Sequence, residues 1–198
     1  MSKARLEAFS DGVLAILITI MVLDLKVPHG SDLDALRPVA SAIMTYVLSF
    51  VYIGIYWNNH HHMLHMTGRI NGAILWANLH LLFWLSLVPF TTGWMGEHCF
   101  AAVPVAIYGF VLFCAGVAYL ILQNAIIAEQ GQGSRLKEAV GPDLKGKASA
   151  VAYLAAIALS FAAPWASCVL YVGVALMWLV PDRRIESRLS ADAPTRGG

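Results

Sequence analysis

Four histidines crowd one short stretch, Tyr56-Trp57-Asn58-Asn59-His60-His61-His62-Met63-Leu64-His65, and a carboxylate, Asp11, stands near the start of the chain in Arg5-Leu6-Glu7-Ala8-Phe9-Ser10-Asp11-Gly12. Imidazoles one helical turn apart, as in His61 with His65 or His62 with His65, can share a metal ion. No Asp, Glu or Cys flanks the cluster, and a di-iron desaturase needs several histidine boxes that are absent. Three readings stay open: a metal ligand set, a hydrogen-bonded cap that closes a helix and holds Asp11, or polar residues at an interface with no further role. We assign no catalytic residue, no metal and no cofactor.

These residues sit in a chain built for lipid. Of 198 residues, 59% are hydrophobic and only 13% charged, about half the charge of a soluble domain, and the mean hydropathy is +0.66. Residues 38–68, 70–96, 99–128 and 148–181 contain no Asp, Glu, Lys or Arg. About 20 apolar residues cross a hydrocarbon core of about 30 Å, so each run is a membrane candidate. The charges give no basic run with interleaved aromatics, which excludes nucleic acid as a partner. Cys99, Cys114 and Cys168 are odd in number, show no paired spacing, and read as small buried hydrophobes. Lys3 and Arg5 precede an apolar stretch, but Glu7 and Asp11 interrupt the positive region and no small-residue cleavage site follows, so the stretch reads as a retained first span.

The runs predict spans over residues 6–27, 38–61, 70–92 and 103–128. The last run is too long for one crossing, and Pro164-Trp165 at its middle predicts a tight hairpin, giving spans five and six. With the N-terminus inside, cytoplasmic segments hold eleven Lys and Arg against two outside, at Lys26 and Arg37. A five-span chain would put the C-terminal arginines outside and erase most of that bias. The expected fold class is therefore an all-α integral membrane protein of six transmembrane helices, with both termini and the 129–147 loop cytoplasmic and the protein in the plasma membrane. Residues 1–187 form one transmembrane domain and 188–198 a disordered tail.

Within span one, Phe9, Ile16, Ile20, Leu23 and Val27 fall within an arc of about 60° at ~100° per residue, a heptad-like stripe that must pack against something. Asp11 points away from the stripe and needs a partner, for which Arg5 or the polar end of span two qualifies. Asp24 ends the span about 80° from Ile16. As an acidic ring repeated by symmetry it would concentrate cations at a pore mouth; as a solvated helix end it would do nothing further.

The pattern Arg5-x-x-x-Phe9-Ser10-Asp11-Gly12, followed by Ile16 and Thr19, resembles the signature of the transmembrane-protein-175 family, the endo-lysosomal potassium channel and its prokaryotic relatives. Trp57-x-Asn59-His60-His61 resembles the family's second marker, and the six-span layout covers about 180 residues. The resemblance implies a homotetramer, with lipid and potassium ions as its other partners, whose first helices line a central pore. It implies a hydrophobic constriction at Ile16, continued by Ile20 and Leu23, with the Thr19 hydroxyl beside it as a selectivity element. It gives Arg5, Phe9, Ser10, Asp11, Trp57, Asn59, His60 and His61 the role of signature and anchor of the pore helix. No Thr-Val-Gly-Tyr-Gly filter is present. The expected function is a potassium-permeable channel, not an enzyme. The alternative, a small secondary or proton-coupled transporter, needs ionisable groups at mid-membrane. His80 is the one such group, and it is expected to bond to a neighbouring helix.

Overall fold

The computed structural model describes residues 2–141 and 143–179, and no strand occurs among them. The expected disordered tail and the four C-terminal arginines lie outside the described residues. Helix α1 spans Lys3–Leu23; a 3-10 segment, Leu33–Val39, leads into α2, Ala40–His65. Then come α3, Gly72–Ser86; α4, Val88–Glu97; α5, Ala102–Gln130; α6, Arg135–Val140; α7, Leu144–Leu159; and α8, Pro164–Leu179. Among the described residues, four stretches are long and apolar enough to cross a membrane: Lys3–Leu23, Leu33–His65, Gly72–Glu97 and Ala102–Gln130. Helix α7, at 16 residues, reaches about 24 Å, short of the hydrocarbon thickness, and α8 has 16 described residues.

Several boundaries differ from expectation. Span three is not one helix: α3 stops at Ser86, and α4 restarts with Pro89 in its first turn, because proline has no N–H for the bond that would join them. Span one ends at Leu23 rather than Val27, where the backbone N–H of Asp24 closes on Ile20 O at 3.2 Å. Helix α2 starts at Ala40 behind the 3-10 segment that holds Pro38, and runs on to His65. The fold-back of the last apolar run occupies residues 160–163, with Pro164 as the first residue of α8, a position where its missing N–H costs nothing. Ser167 Oγ donates to Ala156 O across this turn at 2.7 Å. The loop after α5 contains α6, capped by Ser134 Oγ accepting from Lys137 N at 3.1 Å and closed by Gly141 at φ 59°. Cys99 is exposed in a left-handed turn and Cys114 and Cys168 are half-buried, so the cysteines are not the fully buried residues expected.

Two cores organise the bundle. Leu14 and Leu17 of α1, Leu81 and Leu85 of α3 and Leu122 of α5 belong to the first. The second is aromatic: Tyr52, Tyr108, Tyr153 and Tyr171, from α2, α5, α7 and α8. Tyr52 donates to Tyr171 O at 2.6 Å, and Tyr171 donates to Val105 O at 3.0 Å. Tyr171 reaches α5 because Gly109 has no side chain; a Cβ there would collide with its hydroxyl.

Candidate permeation pathway

Helix α1 has two apolar faces with different fates. Leu6, Ser10, Leu14, Leu17 and Met21, spaced by four and three, are buried against α2, α3 and α4. Phe9, Ile16, Ile20 and Leu23 are exposed, at 48%, 57%, 42% and 81%. The stripe singled out from the sequence is therefore not the face that packs within the chain. Thr19 is also exposed, and its Oγ1 donates to Ile16 O at 2.9 Å, which leaves the hydroxyl oxygen's acceptor capacity unused by that bond.

The N-terminal end of α1 is held by polar bonds. Ser10 Oγ donates to Leu6 O at 2.9 Å and accepts from Asn78 Nδ2 at 3.0 Å; Asn78 Oδ1 lies 2.7 Å from His60 Nε2. All three side chains are buried, so this chain of bonds joins α1, α3 and α2 where water cannot substitute. Asp11 is half-buried and accepts from the Trp57 indole Nε1 at 3.0 Å. Of the two partners expected for Asp11, the cap on α2 is the one used; among the described residues Arg5 is exposed and makes no ion pair. Lys3 Nζ adds a bond to His65 O at 2.7 Å. Asn59 is turned into its own helix, Nδ2 donating to Ile55 O at 2.8 Å. His61 is exposed and stacks on Trp57 at 6.3 Å. His80 accepts from Trp84 Nε1 at 2.9 Å, a partner one turn along its own helix rather than on a neighbour.

At the other end, Thr92 of α4 joins Ser49 of α2 at 2.6 Å, and Ser49 lies 3.0 Å from the Tyr108 hydroxyl. Asp24 is exposed and unpaired by any cation among the described residues. It lines a cleft with Lys26, Tyr46, Phe90, Trp94 and Glu97. Lys26 Nζ meets Glu97 Oε1 at 2.6 Å, and this hydrogen bond raises the Lys26 ammonium above the ordinary lysine range. Sequence reasoning missed Asn78, Ser49 and Thr92. The signal for Asn78 was an amide in the middle of an uncharged apolar run, which demands a buried partner without naming one.

The family model described as endosomal/lysosomal potassium channel TMEM175 matches residues 5–89, from Arg5 to the first turn of α4. A protein named a potassium channel, from Chryseobacterium sp. (strain P1-3), is 54% identical over 189 residues, covering 96% of this chain and 98% of that one. The chain belongs to the TMEM175 family. The crystal structure of a lysosomal potassium-selective channel TMEM175 homolog from Chamaesiphon minutus matches with a TM-score of 0.77 at 26% identity, over 91% of this chain and 97% of the other. A TMEM175 protein of Danio rerio, named an endosomal/lysosomal proton channel, is 27% identical over 135 residues, 66% of this chain and 25% of that protein. TMEM175 is a family of channels and not of enzymes. Its matched segment in this chain contains both faces of α1 and every member of the Ser10, Asn78 and His60 chain of bonds.

Proposed function

We propose that this protein is a potassium-permeable channel, a homotetramer in the plasma membrane with six spans per subunit and a pore lined by the first helix. The observation that carries the reading is the contrast on α1: one apolar face is buried in the chain, while Phe9, Ile16, Ile20 and Leu23 are left exposed in a member of a channel family. In the proposed assembly Ile16 makes the narrowest ring, and Ile20 and Leu23 continue it toward the outside. A ring of aliphatic side chains leaves little room for a hydrated ion and seals by dewetting. Aliphatic carbon cannot replace an ion's water ligands, so preference for potassium draws on its weaker hydration and on Thr19, whose oxygen can still accept toward an ion. Asp24 forms the cation-concentrating mouth. Arg5, Phe9, Ser10, Asp11, Trp57, Asn59, His60 and His61 are the signature around the inner end of α1, and both termini are cytoplasmic. The channel works without a cofactor.

The name of the Danio rerio relative favours a second reading, proton conduction through the same hydrophobic ring. One experiment separates the two: purified protein in liposomes, with potassium, sodium and proton fluxes compared under equal gradients. Potassium flux that exceeds sodium flux and does not saturate as a carrier would supports the channel. Proton flux alone supports the second reading, and no ion flux from correctly assembled protein removes both.

A further inference from the structure

The anchoring of α1 does not use up the histidine cluster. Of the four imidazoles, His60 is spent on the buried chain to Asn78 and Ser10. His61 and His65 are exposed, lie one turn apart on a helix that stays regular through His65, and use no ring nitrogen in a hydrogen bond among the described residues. Their ring centroids are 6.3 Å apart, with the planes at 43°. With a Zn–N bond of about 2.1 Å and about 1.2 Å from ring nitrogen to centroid, two rings sharing one ion stand at most about 6.6 Å apart, and about 5.4 Å at a tetrahedral angle. The observed separation is inside that ceiling, and rotation of two exposed side chains closes the remainder without moving the backbone. The backbone under the pair is also held, by Lys3 Nζ donating to the His65 carbonyl at 2.7 Å.

We propose that His61 and His65 form a chelating site for a divalent transition-metal ion of the zinc class, one in each copy of the chain, with water completing the coordination. The donor set is two imidazole nitrogens and no carboxylate. It therefore takes zinc, nickel or copper, which accept nitrogen ligands, and refuses magnesium and calcium, which need oxygen. The site does not rest on the channel reading, and its test does not use ion flux.

The test is calorimetric titration of zinc chloride into the full, tag-free protein in detergent near pH 7.5, where imidazoles are largely neutral. The expected result is saturable binding of about one zinc per chain and no magnesium binding. Binding is lost in both His61→Gln and His65→Gln and retained in His98→Gln, whose ring lies on α4's far cap against Trp94 O. Absence of zinc binding in the wild type, survival of binding in either His61→Gln or His65→Gln, or its loss in His98→Gln overturns the proposal. Diethyl pyrocarbonate labelling of the wild type, read by mass spectrometry, checks the same site without substitution. Zinc slows modification of His61 and His65 but not of His29; equal slowing of all three, or of none, contradicts the assignment.

Discussion

The two ends of α1 are held in different ways. Its N-terminal half is tied by Lys3 to the α2 carbonyl of His65, by Ser10 through Asn78 to His60, and by Asp11 to Trp57. Its C-terminal third packs by Leu17 and Met21 into the apolar core, with one weak contact from the Thr92 hydroxyl to Met21 Sδ at 4.0 Å, and beyond it the described ion pairs, Lys26 with Glu97 and Arg37 with Asp34, are both exposed. Hydrogen bonds fix direction as well as distance, whereas apolar contacts tolerate sliding and rotation. On the proposed pore reading, a spreading α1 is expected to pivot near its N-terminal end, with Ile20, Leu23 and Asp24 on the end that moves.

That contrast can be broken by substitution. The largest loss of stability is expected from Asn78→Ala, which removes two buried bonds at once and takes from buried His60 its partner on α3. We expect a cost of about 2 kcal/mol and a lower yield of assembled protein, read by thermal unfolding in detergent. Trp57→Phe removes one bond to a half-buried carboxylate while keeping the ring, at a cost of about 1.5 kcal/mol by the same measurement. Asp24→Asn at the other end should leave the melting temperature near wild type and reduce single-channel current at low salt, much less at high salt, where screening is strong. The smallest effect belongs to Lys26→Gln: the pair is fully exposed, and its melting curve should overlie the wild type at physiological salt. A Lys26→Gln loss as large as that of Asn78→Ala would reverse the assignment of the firm and loose ends.

Much of this was readable from residue order. The apolar runs, the fold-back near Pro164, and the need of Asp11 for a partner, either Arg5 or the end of span two, follow from local rules of length, proline geometry and charge burial. The break at Leu87 was legible in principle, since Pro89 forbids a continuous helix, but an uninterrupted apolar run masked it. Residues such as Asn78 and Ser49 were not legible, because their roles depend on which helices become neighbours, and no periodicity reports that. The same holds for Gly109, whose absent side chain matters only because Tyr171 arrives from another helix. The stripe on α1 was visible as a stripe; which of its two apolar faces the chain itself would bury was not, since both have helical spacing.

The proposed channel requires that the exposed face of α1 line the conducting path, with Ile16 at its narrowest ring. The most direct measurement is ion flux through Ile16→Asn protein reconstituted beside the wild type, with assembly checked first by size-exclusion chromatography. A polar side chain at a dewetted ring admits water. The variant is expected to pass more potassium than the wild type and to discriminate less against sodium. Potassium flux and discrimination both unchanged in normally assembled Ile16→Asn protein would make this face a surface for lipid or for another subunit, and would contradict the pore assignment.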